Sequence, residues 1–108
     1  ILDEPEFADI ERLKAVLITF EEKSHLLRIL DKTLEAHGIQ ILIGSEHGVN
    51  EIESCSIVAY PIRSGDTVFG SVGVIGPKRM NYRKVLPLVD TTARILTRLV
   101  KRFVEHAA

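Results

Sequence analysis

The sequence predicts an α+β fold: a small antiparallel sheet of three strands, packed with two N-terminal helices and one long C-terminal helix. Two observations predict it. Apolar residues recur three or four apart at both ends of the 108-residue chain, at Phe7, Ile10, Leu13, Leu17 and Phe20 and again across residues 82–103. Between them, apolar runs at residues 55–62 and 68–75 flank Arg63, Ser64, Gly65, Asp66 and Thr67, a turn-forming cluster. The resulting order is helix, helix, strand, strand, strand, helix.

Each element has its own signal. Polar Asp9, Glu11, Arg12 and Lys14 separate the first apolar stripe, as in an amphipathic helix. Leu26, Leu27, Leu30 and Leu34 form a second stripe. Continuing the first in register lands on Ser24 and Asp31, so the helix is expected to break at residues 21–24. Gly38 is the expected left-handed C-cap of the second helix. Residues 39–43, rich in isoleucine, predict a short strand, and residues 44–53 a polar loop around Gly48. Gly65 and Asp66 fit a tight hairpin turn, type II′ or similar. Pro77 lacks an amide hydrogen, so the third strand should end there. Asn81 is the candidate N-cap of the last helix, whose stripe runs Tyr82, Val85, Val89, Thr92, Leu96, Leu99, Phe103. Pro87 removes one backbone bond from that helix and is expected to bend or loosen it.

Composition is that of an ordinary globular chain: 45% hydrophobic, 27% charged, net charge −1. One domain over residues 1–108 is expected. No apolar run approaches the ~20 residues that span a bilayer, so no membrane partner is expected. The single cysteine, Cys55, excludes an internal disulfide and fits a reducing compartment, from which a cytoplasmic location is expected. Charge is uneven: residues 1–53 hold 12 acids against 5 bases, while residues 78–106 hold 8 bases against 2 acids. The simplest expectation is that acidic and basic helices lie side by side and neutralise each other.

Motifs for chemistry are scarce, and no enzyme activity, catalytic residue, cofactor or metal is expected. Gly70, Gly73 and Gly76 recur every third residue, but Gly70 and Gly73 lie inside the predicted strand, and the run lacks the Lys-Ser/Thr or strand-to-helix setting of a phosphate loop. They are expected to let the final helix approach the backbone or to accommodate a bulge. Histidines 25, 37, 47 and 106 contain no i, i+4 pair. Glu46, His47, Glu51 and Glu53 could gather around a cation but read first as a solvated loop. Cys55 has no activating motif and reads as a small buried hydrophobe; Ser64 and Ser71 lack a nucleophile elbow. Aromatic content of 6% without Trp disfavours a single-strand nucleic-acid reader. Lys78, Arg79, Arg83 and Lys84 form the densest basic patch and are the candidate interaction residues. Because a helix N-terminus is already electropositive, these bases gain nothing from the dipole and fit contact with an anionic surface, either DNA phosphate or an acidic partner face.

Gly73-Val-Ile-Gly-Pro77, then Arg79-Met80-Asn81-Tyr82, then Leu88-Val89-Asp90, carry a family resemblance, supported more weakly by Pro5-Glu6-Phe7 and Ile41-Leu42-Ile43-Gly44-Ser45-Glu46. The chain resembles the C-terminal part of the heat-inducible transcription repressors (HrcA), from about residue 2 to about residue 100. It departs at Lys78, where the pattern leads one to expect Thr. The resemblance implies a GAF-like regulatory and structural domain of a repressor of chaperone (heat-shock) operons. It implies a winged-helix reader of operator DNA and a dimerising insertion, both outside this chain, so that the chain binds no operator by itself. It also implies homodimerisation, packing against other domains of the same repressor, and modulation by a chaperonin. A GAF-like fold leaves two alternatives: a small-molecule sensor with residues 44–53 as a lid, or a plain oligomerisation module. The stripe on the final helix is wider than a three-stranded sheet must cover, so the chain is expected to self-associate.

Overall fold

A computed structural model describes residues 5–107, with side chains for residues 10–106. Two helices, α1 (Pro5–Phe20) and α2 (Lys23–Leu34), lead into strand β1 (Gln40–Ile43). Two short 3₁₀ turns, Gly44–His47 and Asn50–Ile52, connect it to the hairpin strands β2 (Cys55–Ser64) and β3 (Thr67–Pro77). Helix α3 (Tyr82–Ala107) closes the chain. The three strands form one antiparallel sheet in the order β1-β2-β3. The fold is α+β, as the sequence predicts.

β2 is the centre of this sheet and pairs on both sides. Its side chains alternate between faces. Cys55, Ile57 and Ala59 point to one face, where they pack with Ile29, Val49 and Ile52, flanked by Val16, Phe20, Leu42 and Ile75. The alternate residues Ser56, Val58 and Ile62 are also buried, on the face covered by α3 through Val89 and Ala93. A strand buried on both faces reads as a continuous apolar run rather than an alternating one, which is why residues 55–62 look as they do.

The hairpin turn is built as expected. Gly65 has φ +62°, and no described non-glycine residue has positive φ, the signs of a type II′ turn across Ser64↔Thr67. Pairing slips once, from Ile62↔Gly70 to Arg63↔Val68, leaving Phe69 as the extra residue of a bulge. Gly73 is tight for a different reason from the expected one: a Cβ there would meet the Val58 carbonyl oxygen at 3.2 Å, so it accommodates its strand neighbour and not a helix.

The helix break falls between Phe20 and Lys23, and β3 ends at Pro77. α3 starts at Tyr82, with the Asn81 carbonyl accepting from the amides of Lys84 and Val85. Two local expectations are corrected. Gly38 does not cap α2, which ends at Leu34 with a right-handed C-cap, Glu35. The Arg63 guanidinium does that work from the hairpin: its Nη2 donates to the Leu34 carbonyl at 2.6 Å and the Ala36 carbonyl at 3.1 Å. A charged donor on the carbonyl of the last helical residue and on that of the residue after its C-cap satisfies acceptors that have no intrahelical partner.

The second correction concerns α1. Its expected core stripe faces outward: Ile10, Leu13 and Leu17 are exposed, whereas Val16, Thr19 and Phe20 turn toward the molecule. α2 and the 3₁₀ turns already occupy the sheet face through Ile29, Val49 and Ile52, so α1 lies along their edge. The Phe7 side chain lies outside the described residues.

The Cα radius of gyration is 15.5 Å and the extents are 56 × 29 × 20 Å, against about 13 Å expected for a compact domain of this length. The excess comes from α3, whose 26 residues span about 39 Å. Replacing Arg63 with Met keeps the stem but deletes both carbonyl bonds, and should lower stability by about 1–3 kcal/mol. Urea unfolding checks this; an unchanged midpoint would remove Arg63 from the tie between α2 and the hairpin.

Candidate interaction surfaces

The β3–α3 corner places the four basic candidates in one neighbourhood. Lys78 and Arg79 occupy the turn and Arg83 and Lys84 the first turn of α3, all four exposed. The Tyr82 hydroxyl donates to the Lys78 carbonyl at 2.7 Å, tying the helix start to the turn. The Lys78 stem lies across Gly44, where an added Cβ would come within 2.8 Å of the Lys78 Cε. The flexible lysine stem could move aside, but Gly44 also has φ +59°, and that backbone conformation is what favours glycine there. None of the four forms an ion pair with a described residue.

Residues 44–53 are not the solvated loop the polar composition suggests. His47, Val49 and Ile52 are fully buried. The His47 Nε2 lies 3.0 Å from the Ile52 carbonyl and 3.2 Å from the Cys55 carbonyl, and Nδ1 accepts from the Val49 amide at 3.2 Å. Carbonyls only accept and an amide only donates, so the ring proton sits on Nε2 and the Nδ1 lone pair is already in use. His47 is therefore a polar keystone of the segment and offers no lone pair to a cation. Glu46 is taken too, its carboxylate accepting from the Ile43 amide at 2.6 Å. The Glu51 carboxylate lies 3.5 Å from the His25 Nε2, and the His25 Nδ1 donates to the Thr19 carbonyl at 2.9 Å. Among the described residues no group of three or more His, Cys, Asp or Glu could hold a metal. A segment anchored this way is no lid.

Cys55 is buried at the start of β2. It borders an apolar cleft of about 220 Å³ with Leu13, Val16, Ile75 and Pro77. The His106 Nδ1 donates to the Arg102 carbonyl one turn back, at 2.7 Å.

The acidic and basic segments do not neutralise each other as expected. α1 and α2 pack on the Cys55, Ile57 and Ala59 face of the sheet, and α3 on the other. α3 carries six bases against Asp90 and Glu105. The Arg94 Nε donates to Asp90 Oδ2 at 2.9 Å, and that bond to a carboxylate raises the Arg94 pKa above its ordinary value. Arg94, Arg98 and Lys101 share one helical stripe and, with His37, Tyr60 and Arg63, line a groove of about 330 Å³. Sequence reading missed this set, because Arg63 and the α3 bases are some thirty residues apart. The i, i+4, i+7 spacing of 94, 98 and 101 was its only visible signal.

Apolar surface is plentiful. α3 turns Leu88, Ile95, Leu99 and Phe103 outward, with Phe103 75% exposed, so the C-terminal part of its predicted core stripe is uncovered. Ile41 and Ile43 are exposed on β1. Among the described residues fifteen large hydrophobic side chains are exposed and ten hydrophobic residues are buried. No described helix is long and apolar enough to cross a membrane.

Substituting His47 with Phe keeps the volume and deletes three polar contacts. It is expected to cost about 1–3 kcal/mol of stability by leaving two buried carbonyls and one amide unpaired. Chemical unfolding measures it; a variant as stable as the parent would show that the ring's hydrogen bonds contribute nothing.

Comparison with known proteins adds a separate line of evidence. A family model described as "HrcA protein C terminal domain" matches residues 1–86. The "Heat-inducible transcription repressor HrcA" of Syntrophobacter fumaroxidans is 43% identical over 102 residues, covering 94% of this chain and 29% of that protein. Proteins of the same name from Anaeromyxobacter sp. strain K and Geobacter sulfurreducens are 47% identical over 97 residues and 45% over 101. Those matches cover 90% and 94% of this chain, and 28% and 30% of the relatives. The chain thus spans under a third of the length of these curated relatives. A solved structure described as a hypothetical protein at 2.2 Å resolution superimposes with TM-score 0.64 at 20% identity, over 82% of this chain and 26% of that one. At that identity the likeness concerns the fold alone.

Proposed function

The chain belongs to the HrcA family of heat-inducible transcription repressors, and from that premise we propose that it is the GAF-like structural and regulatory C-terminal domain of a longer cytoplasmic repressor. In this reading it contributes packing surfaces, not chemistry. A winged helix elsewhere in the repressor reads the operator of chaperone genes, and a chaperonin adjusts the active form.

One observation carries the reading. Exposed large hydrophobics outnumber the buried core among the described residues, and they are grouped: Ile10, Leu13 and Leu17 on α1, Ile41 and Ile43 on β1, Leu88, Ile95, Leu99 and Phe103 on α3. Isolated exposed leucines are ordinary, but grouped apolar faces are surfaces that other protein covers. The basic corner of Lys78, Arg79, Arg83 and Lys84 then serves as an anionic-partner contact on the same scaffold.

The outward stripe of α3 supports pairing of two copies, since Leu88, Ile95 and Leu99 recur at seven and four residues and present one apolar seam. Light scattering is expected to give a mass above one 12.1 kDa chain at high concentration, falling to one chain for Leu99→Lys/Phe103→Lys. A single-chain mass for the parent would discard the α3 seam. In a gel-shift assay the chain alone should leave inverted-repeat operator DNA unshifted; sequence-specific retardation would show that the reader lies within these residues.

A further inference from the structure

We propose that the groove between α3, the end of β2 and the α2–β1 connection is a binding site for a diphosphate-bearing small molecule. This site is distinct from the packing role above and lies away from the basic β3–α3 corner.

The groove holds about 330 Å³ and is lined by Arg63, Arg94, Arg98 and Lys101 together with His37, Tyr60 and Thr97, with no carboxylate in the lining. Cavities of this size are typical of small-molecule sites. Four cations around one space, on a chain whose net charge is −1, raise the local potential and repel one another unless an anion sits between them. Only Arg94 has a carboxylate partner, Asp90. Arg98 and Lys101 have no ion pair or hydrogen bond with any described residue.

Arg63 supplies the preorganisation. Its Nη2 is fixed on the Leu34 and Ala36 carbonyls, which aim the guanidinium without cancelling its charge. Its Nε is buried and has no hydrogen-bond partner. A guanidinium bonded only to carbonyls keeps its full positive charge, which an anion in the groove would offset. Across the groove Arg98 and Lys101 stand one turn apart on α3, a spacing suited to successive phosphates. Arginine forks and a lysine ammonium are the groups that bind phosphate oxygens in charge-assisted bonds. Tyr60, also in the lining, offers an aromatic ring to whatever the diphosphate is attached to. Arg63, Arg98 and Lys101, the three lining cations without a carboxylate partner, match the charge of a diphosphate better than that of a single phosphate, so the class is a diphosphate, free or nucleoside-linked.

The test is calorimetric titration of the chain with pyrophosphate and with ADP at low ionic strength, with amide chemical-shift mapping. Binding is expected, with shifts at His37, Tyr60 and Thr97. The exposed double variant Arg98→Gln/Lys101→Gln should weaken it by at least about tenfold, as loss of two charge-assisted contacts requires. The control Arg83→Gln/Lys84→Gln removes the same charge from the same helix and should leave affinity unchanged. Equal affinity for both probes would assign the site to the diphosphate itself; tighter ADP would assign it to a nucleoside diphosphate, and either supports the proposal. It is overturned by absence of binding at millimolar probe, by equal weakening in the control, or by shifts confined to residues 78–84.

Discussion

Burial of β2 on both faces is the constraint from which the rest of the architecture follows. A central strand with Cys55, Ile57 and Ala59 on one side and Ser56, Val58 and Ile62 on the other must be covered twice. One cover is assembled from α2 and the two 3₁₀ turns, the other from α3. Because each cover is needed, α3 must return across the sheet immediately after β3. Pro77 and the Tyr82–Lys78 bond make that reversal in four residues. β1 and β3 are then left as open edges, and α1 is left with only a margin of the covered face.

Polar atoms tie these covers to the sheet at few points, each buried or half-buried. His47 fixes the first cover to the start of β2, and Arg63 fixes the end of α2 to the end of β2. The two ties act at opposite ends of the same strand, and both use one side chain to satisfy several backbone groups. That arrangement lets a core of ten buried hydrophobic residues hold together while large apolar areas stay available for other protein. Arg63 has a double position, since the groups that order it as a structural tie also present it to the α3 groove.

Much of the fold is legible in the sequence because it is encoded locally. The hairpin follows from Gly65 at a two-residue turn, the helix break from a stripe that loses register at Ser24, and the β3 stop from Pro77. What is not legible depends on contacts between distant residues. Period alone shows that α1 has an apolar stripe, but not that Ile29, Val49 and Ile52 have already taken the sheet face. Gly38 is a reasonable cap by residue type, yet a cation from the hairpin does that work. Residues 44–53 look polar because their outward Glu46, Glu51 and Glu53 hide a buried His47. The basic corner is contiguous in sequence and so was visible, whereas the α3 groove joins residues from three elements. The family could be read from the β3–α3 corner because that corner packs many geometric requirements into few residues.

Pro87 gives α3 an internal seam. Without an amide at that position, the Arg83 carbonyl one turn earlier lacks its helical donor. The residues before it are instead bound back to the turn, through Asn81 and the Tyr82–Lys78 bond. The opening turn of α3 thus belongs mechanically to the corner, and the body anchored by Val89 and Ala93 belongs to the sheet. The one position where α3 lacks a backbone amide therefore lies between the basic corner and the part of the helix anchored by Val89 and Ala93.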